Sequence, residues 1–135
     1  MIAAVFDTNV VVSGMLSPAG PPGRIVDWLV AGDIRAVLDD RIIAEYDRVL
    51  HYPRLELPGA EVDILLGRIL QIGIHVSVTP QYACLELPHS GDAPFAQCAL
   101  TAGVPLVTGN AKHFPSEILN PVPIISPAEY VKTPE

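Results

Sequence analysis

Four residues far apart in the chain carry the oxygen atoms that hard-cation or acid–base chemistry uses: Asp7, Glu45, Asp92 and Asn110. Asp7 ends the apolar run Ile2-Ala3-Ala4-Val5-Phe6, so a carboxylate stands at the end of what reads as a buried strand. Burying it bare would be very costly, so it must be hydrogen-bonded, paired with a base or bound to a metal. Its surroundings, VFDTNVVVSG, supply no base. The other three residues each have a plainer alternative. Asp92 in GDAPF can cap a helix N-terminus, although on a helical projection it shares the face of Phe95 and Ala99. Glu45 flanks the Ile42/Tyr46/Val49 stripe on one side and Asp47 flanks it on the other, and periodicity does not choose between them. Asn110 in TGNAKH can make an Asx-turn.

Elements must bring these residues together. Residues 2 to 6 read as a buried strand, and Pro21-Pro22 opens a helix that runs through IVDWLVAG to a stop at Gly32. Residues 34 to 38 form a second strand, after which Asp39 or Asp40 can cap the helix RIIAEYDRVL. The helix AEVDILLGRILQIG places Val62, Leu65, Leu66 and Ile69 on one stripe. HVSV (75 to 78) is a weaker strand, followed by an irregular stretch to Gly91. The helix DAPFAQCALTAG, the strand VPLVTG, the loop NAKHFP, the strand PIISP and a short helix complete the chain. Strands alternating with helices imply an α/β fold of one domain spanning 1–135, a three-layer α/β/α sandwich on a parallel sheet of about five strands. In such sheets ligands bind beyond the carboxyl ends of the strands. Asp7, the Thr108-Gly109-Asn110 segment, the start of the Asp92 helix and the helix bearing Glu45 all belong to that rim.

Composition narrows the function classes. The 135 residues carry 15 acidic and 8 basic side chains, a net charge of −7. That balance lacks the basic face with which proteins usually hold nucleic acid. A polyanionic substrate would therefore need positive charge from a bound cation or a basic partner. No run approaches the roughly 20 apolar residues of a membrane span, and Met1 leads into a strand with no signal-like segment, so the expectation is a cytoplasmic protein. Cys98 falls in an apolar helical context and reads as core; Cys84 lies in the irregular stretch, and neither has a spacing that suggests zinc or a disulfide.

The segments VFDTNVVVSGMLSP, IIAEYDRVL, GDAPFAQCAL and LVTGNAKHF, together with the Pro-Pro-Gly-Arg helix entry, resemble PIN-domain proteins in order and spacing over nearly the whole chain. Within that family the likeness is to small toxins of toxin–antitoxin pairs. The resemblance implies a ribonuclease dependent on Mg²⁺ or Mn²⁺ that leaves a 5′-phosphate and a 3′-hydroxyl. It implies Asp7, Glu45 and Asp92 as metal-holding catalytic acids, which selects Glu45 over Asp47. Asn110 matches a fourth catalytic and metal-site position that is commonly Asp; its amide oxygen can ligate the ion or hold its water but brings no charge, so this chain offers three carboxylates there. Relatives often carry a further acid just upstream of the third, where this chain has His89 and Ser90. Asn9 and Ser13 match polar positions that support the site, and Thr108 reaches the same edge. Lys112 and His113, with Arg24 or Arg41, are candidates for contacting substrate phosphate. The implied partners are an RNA substrate, a small antitoxin covering the acidic rim and a second copy of the chain, with no membrane. The alternative reading is a weak or inactive relative that binds RNA or protein without cutting. A phosphatase or receiver domain is disfavoured: Asn9 stands where the former needs a second Asp, and HVSV offers the latter no acceptor.

Overall fold

The computed structural model describes residues 2–133. β1 (Ala3–Phe6) is apolar throughout and has no exposed residue at Ala4, Val5 or Phe6, as a strand covered on both faces requires. It is the middle strand of a five-stranded sheet of order β3-β2-β1-β4-β5 in which every pairing is parallel. The others are β2 (Arg35–Leu38), β3 (Ile74–His75), β4 (Leu106–Val107) and β5 (Ile124–Ile125). Helices cover both faces, giving the expected three-layer α/β/α arrangement.

α2 (Pro21–Ala31) starts at its proline pair and stops at Gly32, whose φ of 85° is the left-handed conformation that glycine adopts at least cost. α3 (Asp40–Leu50) is capped by Asp39, which accepts from the backbone N–H groups of Arg41 and Ile42. α4 (Gly59–Ile72) buries Val62, Leu65, Leu66 and Ile69, the stripe that periodicity marks. α5 (Ala93–Ala102) lies across β1, β2 and β4. Two short helices, α6 (Ser116–Leu119) and α7 (Pro127–Lys132), flank β5.

Two expectations are corrected. The third strand is Ile74–His75, not 75–78. Val76 still donates to the Leu38 carbonyl at 3.0 Å, but β2 ends there because Asp39 begins the α3 cap, so no ladder partner remains. The segment after Asp7 is a helix, α1 (Thr8–Leu16), where the sequence pattern predicts none. Its Val10-Val11-Val12 run has mediocre helix propensity, yet Val10 and Val11 are buried, and packing overrides propensity. Gly14 makes the packing possible, since a Cβ there would meet the Pro22 carbonyl oxygen of α2 at 2.4 Å.

The chain builds β1, β2 and β3 to one side, then returns through β4 on the other side of β1. The carboxyl ends of β1 and β4 therefore border the crevice where such sheets bind ligands.

Candidate active site

Asp7 is the first residue beyond β1 and Thr108 the first beyond β4, and both are buried at that crevice. Thr108 Oγ1 donates to Asp7 Oδ2 at 2.7 Å, across the two strand ends. Burial drives the Asp7 pKa above its ordinary value, and the nearby charges of Asp92 and Glu45 push the same way. Hydrogen bonds from Thr108 and the Thr8 backbone oppose this without cancelling it. Asp7 occupies the N-cap position of α1 but makes no side-chain cap bond to the turn that follows.

Glu45 sits half-buried on α3, where the Thr8 hydroxyl donates to its Oε2. Asp47, on the other flank of the stripe, is 66 % exposed and pairs with His51 at 3.4 Å. The geometry thus favours Glu45 as the acid turned toward Asp7. Arg48 Nη2 stands 3.6 Å from Glu45 Oε1 in a pair open to solvent. Next to Glu45, Tyr46 is fully buried and its hydroxyl donates to the Phe6 carbonyl at 2.5 Å.

Asp92 ends a 3-10 turn (Ser90–Asp92) and stands at the N-cap position of α5, again without a side-chain cap bond. The helix-cap explanation for it is therefore removed. Its Oδ2 is buried and accepts no hydrogen bond. His113 Nδ1 is 3.3 Å from that oxygen, an ion pair when the imidazole is protonated but not aligned as a hydrogen bond. The His113 ring stacks on His89, with centroids 4.0 Å apart and planes at 27°.

These carboxylates suit a hard divalent cation in chemical kind, being oxygen donors with one buried oxygen that accepts no hydrogen bond. They form an acidic rim and not a closed cage: among the described residues, no three His, Cys, Asp or Glu side chains are grouped tightly enough to hold a metal as they stand.

The remaining candidates divide. Asn110 meets the rim through its backbone, whose N–H donates to Thr108 Oγ1 at 2.9 Å, and its side chain caps no helix. It lines an adjoining cavity with Asn9, Ser13 and Gly109. Asn9 does not bond Asp7; its Oδ1 accepts from the Gly109 N–H at 3.3 Å. Lys112 and Arg24 are exposed and make no ion pair among the described residues. Arg41 is bonded to Asp39 at 2.7 Å and to Gln97 at 2.9 Å. Two contacts have no clear signal in the sequence. Thr8 links Asp7 to Glu45, and its only sequence signal is a hydroxyl beside Asp7. The His89–His113 stack joins residues that nothing in their spacing relates.

Among the described residues no helix is long and apolar enough to cross a membrane. No curated protein and no solved structure matches the chain. A family model described as PIN domain matches residues 3–112. That span runs from the central strand to the turn beyond β4 and takes in every acid of the rim; the chain belongs to the PIN-domain family, whose fold is of nuclease type.

Proposed function

We propose that this protein is a metal-dependent endoribonuclease hydrolysing RNA phosphodiester bonds, with Asp7, Glu45 and Asp92 holding Mg²⁺ or Mn²⁺. The observation that supports this most is the buried Oδ2 of Asp92, which accepts no hydrogen bond and has the His113 imidazole 3.3 Å away, near a second buried carboxylate whose ionisation it opposes. Such an arrangement is unfavourable without a cation. When bound between these acids, such an ion would supply Lewis-acid chemistry at the phosphate and acidify a water. The chain's own residues do the positioning. Thr108 fixes Asp7, Thr8 fixes Glu45, and both hydroxyls leave carboxylate lone pairs free for the ion. Asn110 adds no charge at the edge of the rim. Lys112 and His113 lie beside it and contact the phosphate backbone, which anchors the RNA without reading its sequence.

The resemblance to small toxins extends the proposal to a toxin held by a basic antitoxin, as the net charge of −7 suits, and to a homodimer. A second reading, a PIN-type binder that does not cut, is favoured by the open rim and by the neutral Asn110. One experiment separates them. The purified protein is incubated with a mixed RNA pool and Mn²⁺, with and without chelator, beside Asp92→Asn. The nuclease reading expects fragments with 5′-phosphate ends that vanish on chelation and in the variant. RNA retained in a gel shift but left whole supports the binder, and cutting that survives Asp92→Asn overturns the assignment.

A further inference from the structure

Beside the acidic rim lies a cavity of about 280 Å³, lined by Asn9, Val10, Ser13, Pro22, Asn110 and Pro127 together with Gly109. Its polar groups are neutral. No Lys, Arg or carboxylate lines it, so the charged anchors for a phosphate and a cation stand outside it, on the rim. What it does offer is amide and hydroxyl hydrogen-bonding groups against apolar walls from three helices. The Asn9 Oδ1 is taken by the Gly109 N–H, which leaves the Asn9 amide N–H₂ as the free end. The Asn110 side chain and the Ser13 hydroxyl make no hydrogen bond among the described residues, and both residues are exposed. Pro22 and Pro127 supply apolar ring faces above the buried Val10.

We infer that this cavity receives one nucleobase of the RNA, read at its edge by Asn110 and Ser13 and covered on its faces by Pro22 and Pro127. The inference rests on the nuclease reading and adds to it the determinant of cut-site preference. A planar heterocycle with donors and acceptors on its edge matches the lining, and the volume falls just below the usual range of small-ligand pockets, room for one base and no more. The sugar and phosphate then stay outside. Thr108 connects the two places: its Oγ1 donates to Asp7 and accepts from the Asn110 N–H, so the cavity wall and the acid share one hydroxyl. A base seated there sets its own phosphate near the acids. A single amide presents one donor and one acceptor side by side, the pattern that pairs with adenine N7 and N6, and adenine is the base expected.

The test uses the whole protein without metal and the four ribonucleoside 5′-monophosphates as probes, followed through the side-chain amide NMR signals of Asn9 and Asn110. AMP should shift both signals and bind about tenfold more tightly than the pyrimidine nucleotides. Asn110→Ala should erase that preference with its backbone spectrum otherwise retained, while Asp7→Asn should keep it. Signals that move equally with ribose 5-phosphate, or with none of the four at millimolar concentration, overturn the inference. Sequencing of cut ends separates this failure from failure of the nuclease reading. If RNA is cut but Asn110→Ala leaves the composition at the junction unchanged, the cavity does not read the base. If RNA is not cut while AMP still selects the amide signals, the base site stands and the nuclease reading falls.

Discussion

Asp7 and Asp39 form a natural controlled comparison. Each is the first residue beyond a parallel strand, β1 and β2 respectively, and each stands at the N-cap position of the helix that follows. Asp39 is fully used by the fold. Its Oδ1 caps α3, its Oδ2 accepts two bonds from the Arg41 guanidinium, and Arg41 continues to Gln97, which holds the Ala83 and Leu85 carbonyls of the irregular stretch. Although burial opposes it, these bonds hold the Asp39 pKa below its ordinary value. The neighbouring Cys98 thiol is pushed up to about 12, by burial first and then by the Asp39 carboxylate, which leaves it inert. Asp7 has the same place in its own strand, no cap bond, no ion pair among the described residues and a raised pKa. The lesson is that a strand-end aspartate is not in itself a sign of chemistry. What distinguishes the functional candidate is a carboxylate whose needs the fold leaves unmet.

The sharpest way to break this contrast is to neutralise each acid in turn. Asp7→Asn should lower RNA cleavage by at least about 100-fold, whereas Asp39→Asn should change the rate per folded molecule less than about twofold, measured on the same substrate pool. Equal losses would mean that the two acids do the same work. Next come the hydroxyls that aim the acids: Thr8→Val and Thr108→Val should each cost roughly 10- to 100-fold in activity or metal affinity, read by metal titration alongside cleavage. An unchanged metal midpoint in both would remove these residues from the site. Asp39→Ala should cost about 1 kcal/mol of stability through the lost cap, seen as a lower denaturant midpoint at unchanged slope.

The smallest effect is the most diagnostic. Between the ordinary carboxylate value of 3.8 and its raised native value, Asp7 binds more proton in the folded than in the unfolded chain. Metal-free stability attributable to Asp7 therefore rises as pH falls through the native value, and Asp7→Asn should abolish that rise. Asp39 has the opposite sign: its contribution is present above 3.8 and is lost as pH falls through its lowered native value. Chemical denaturation of wild type, Asp7→Asn and Asp39→Asn across acid pH checks both slopes, and parallel curves for the two variants would contradict the comparison.

Much of the scaffold was legible from local signals. The Pro21-Pro22 start and Gly32 stop bounded α2, and the α4 stripe named its buried residues, because these features depend on neighbours within a turn or two. α1 was not legible: its valine run disguises a helix that exists because Gly14 lets it close on α2. In the site, Asp7 announced itself by ending an apolar strand. The choice of Glu45 over Asp47 rests geometrically on Thr8, 37 positions away in sequence, and no periodicity encodes such a contact. The Asp92 cap alternative likewise falls only when its side chain is seen to bond no backbone donor.

One buried bond fixes more than it joins. The Tyr46 hydroxyl reaches the Phe6 carbonyl 40 positions away, and these residues are the immediate neighbours of Glu45 and Asp7. Burial keeps that phenol protonated, hence always a donor. It works as a caliper: a slip of α3 by one turn, about 5.4 Å, would orphan both of its ends inside the protein. The gap between two acids is thereby gauged from beneath, by the interior, while loops and surface charges above it are free to diverge.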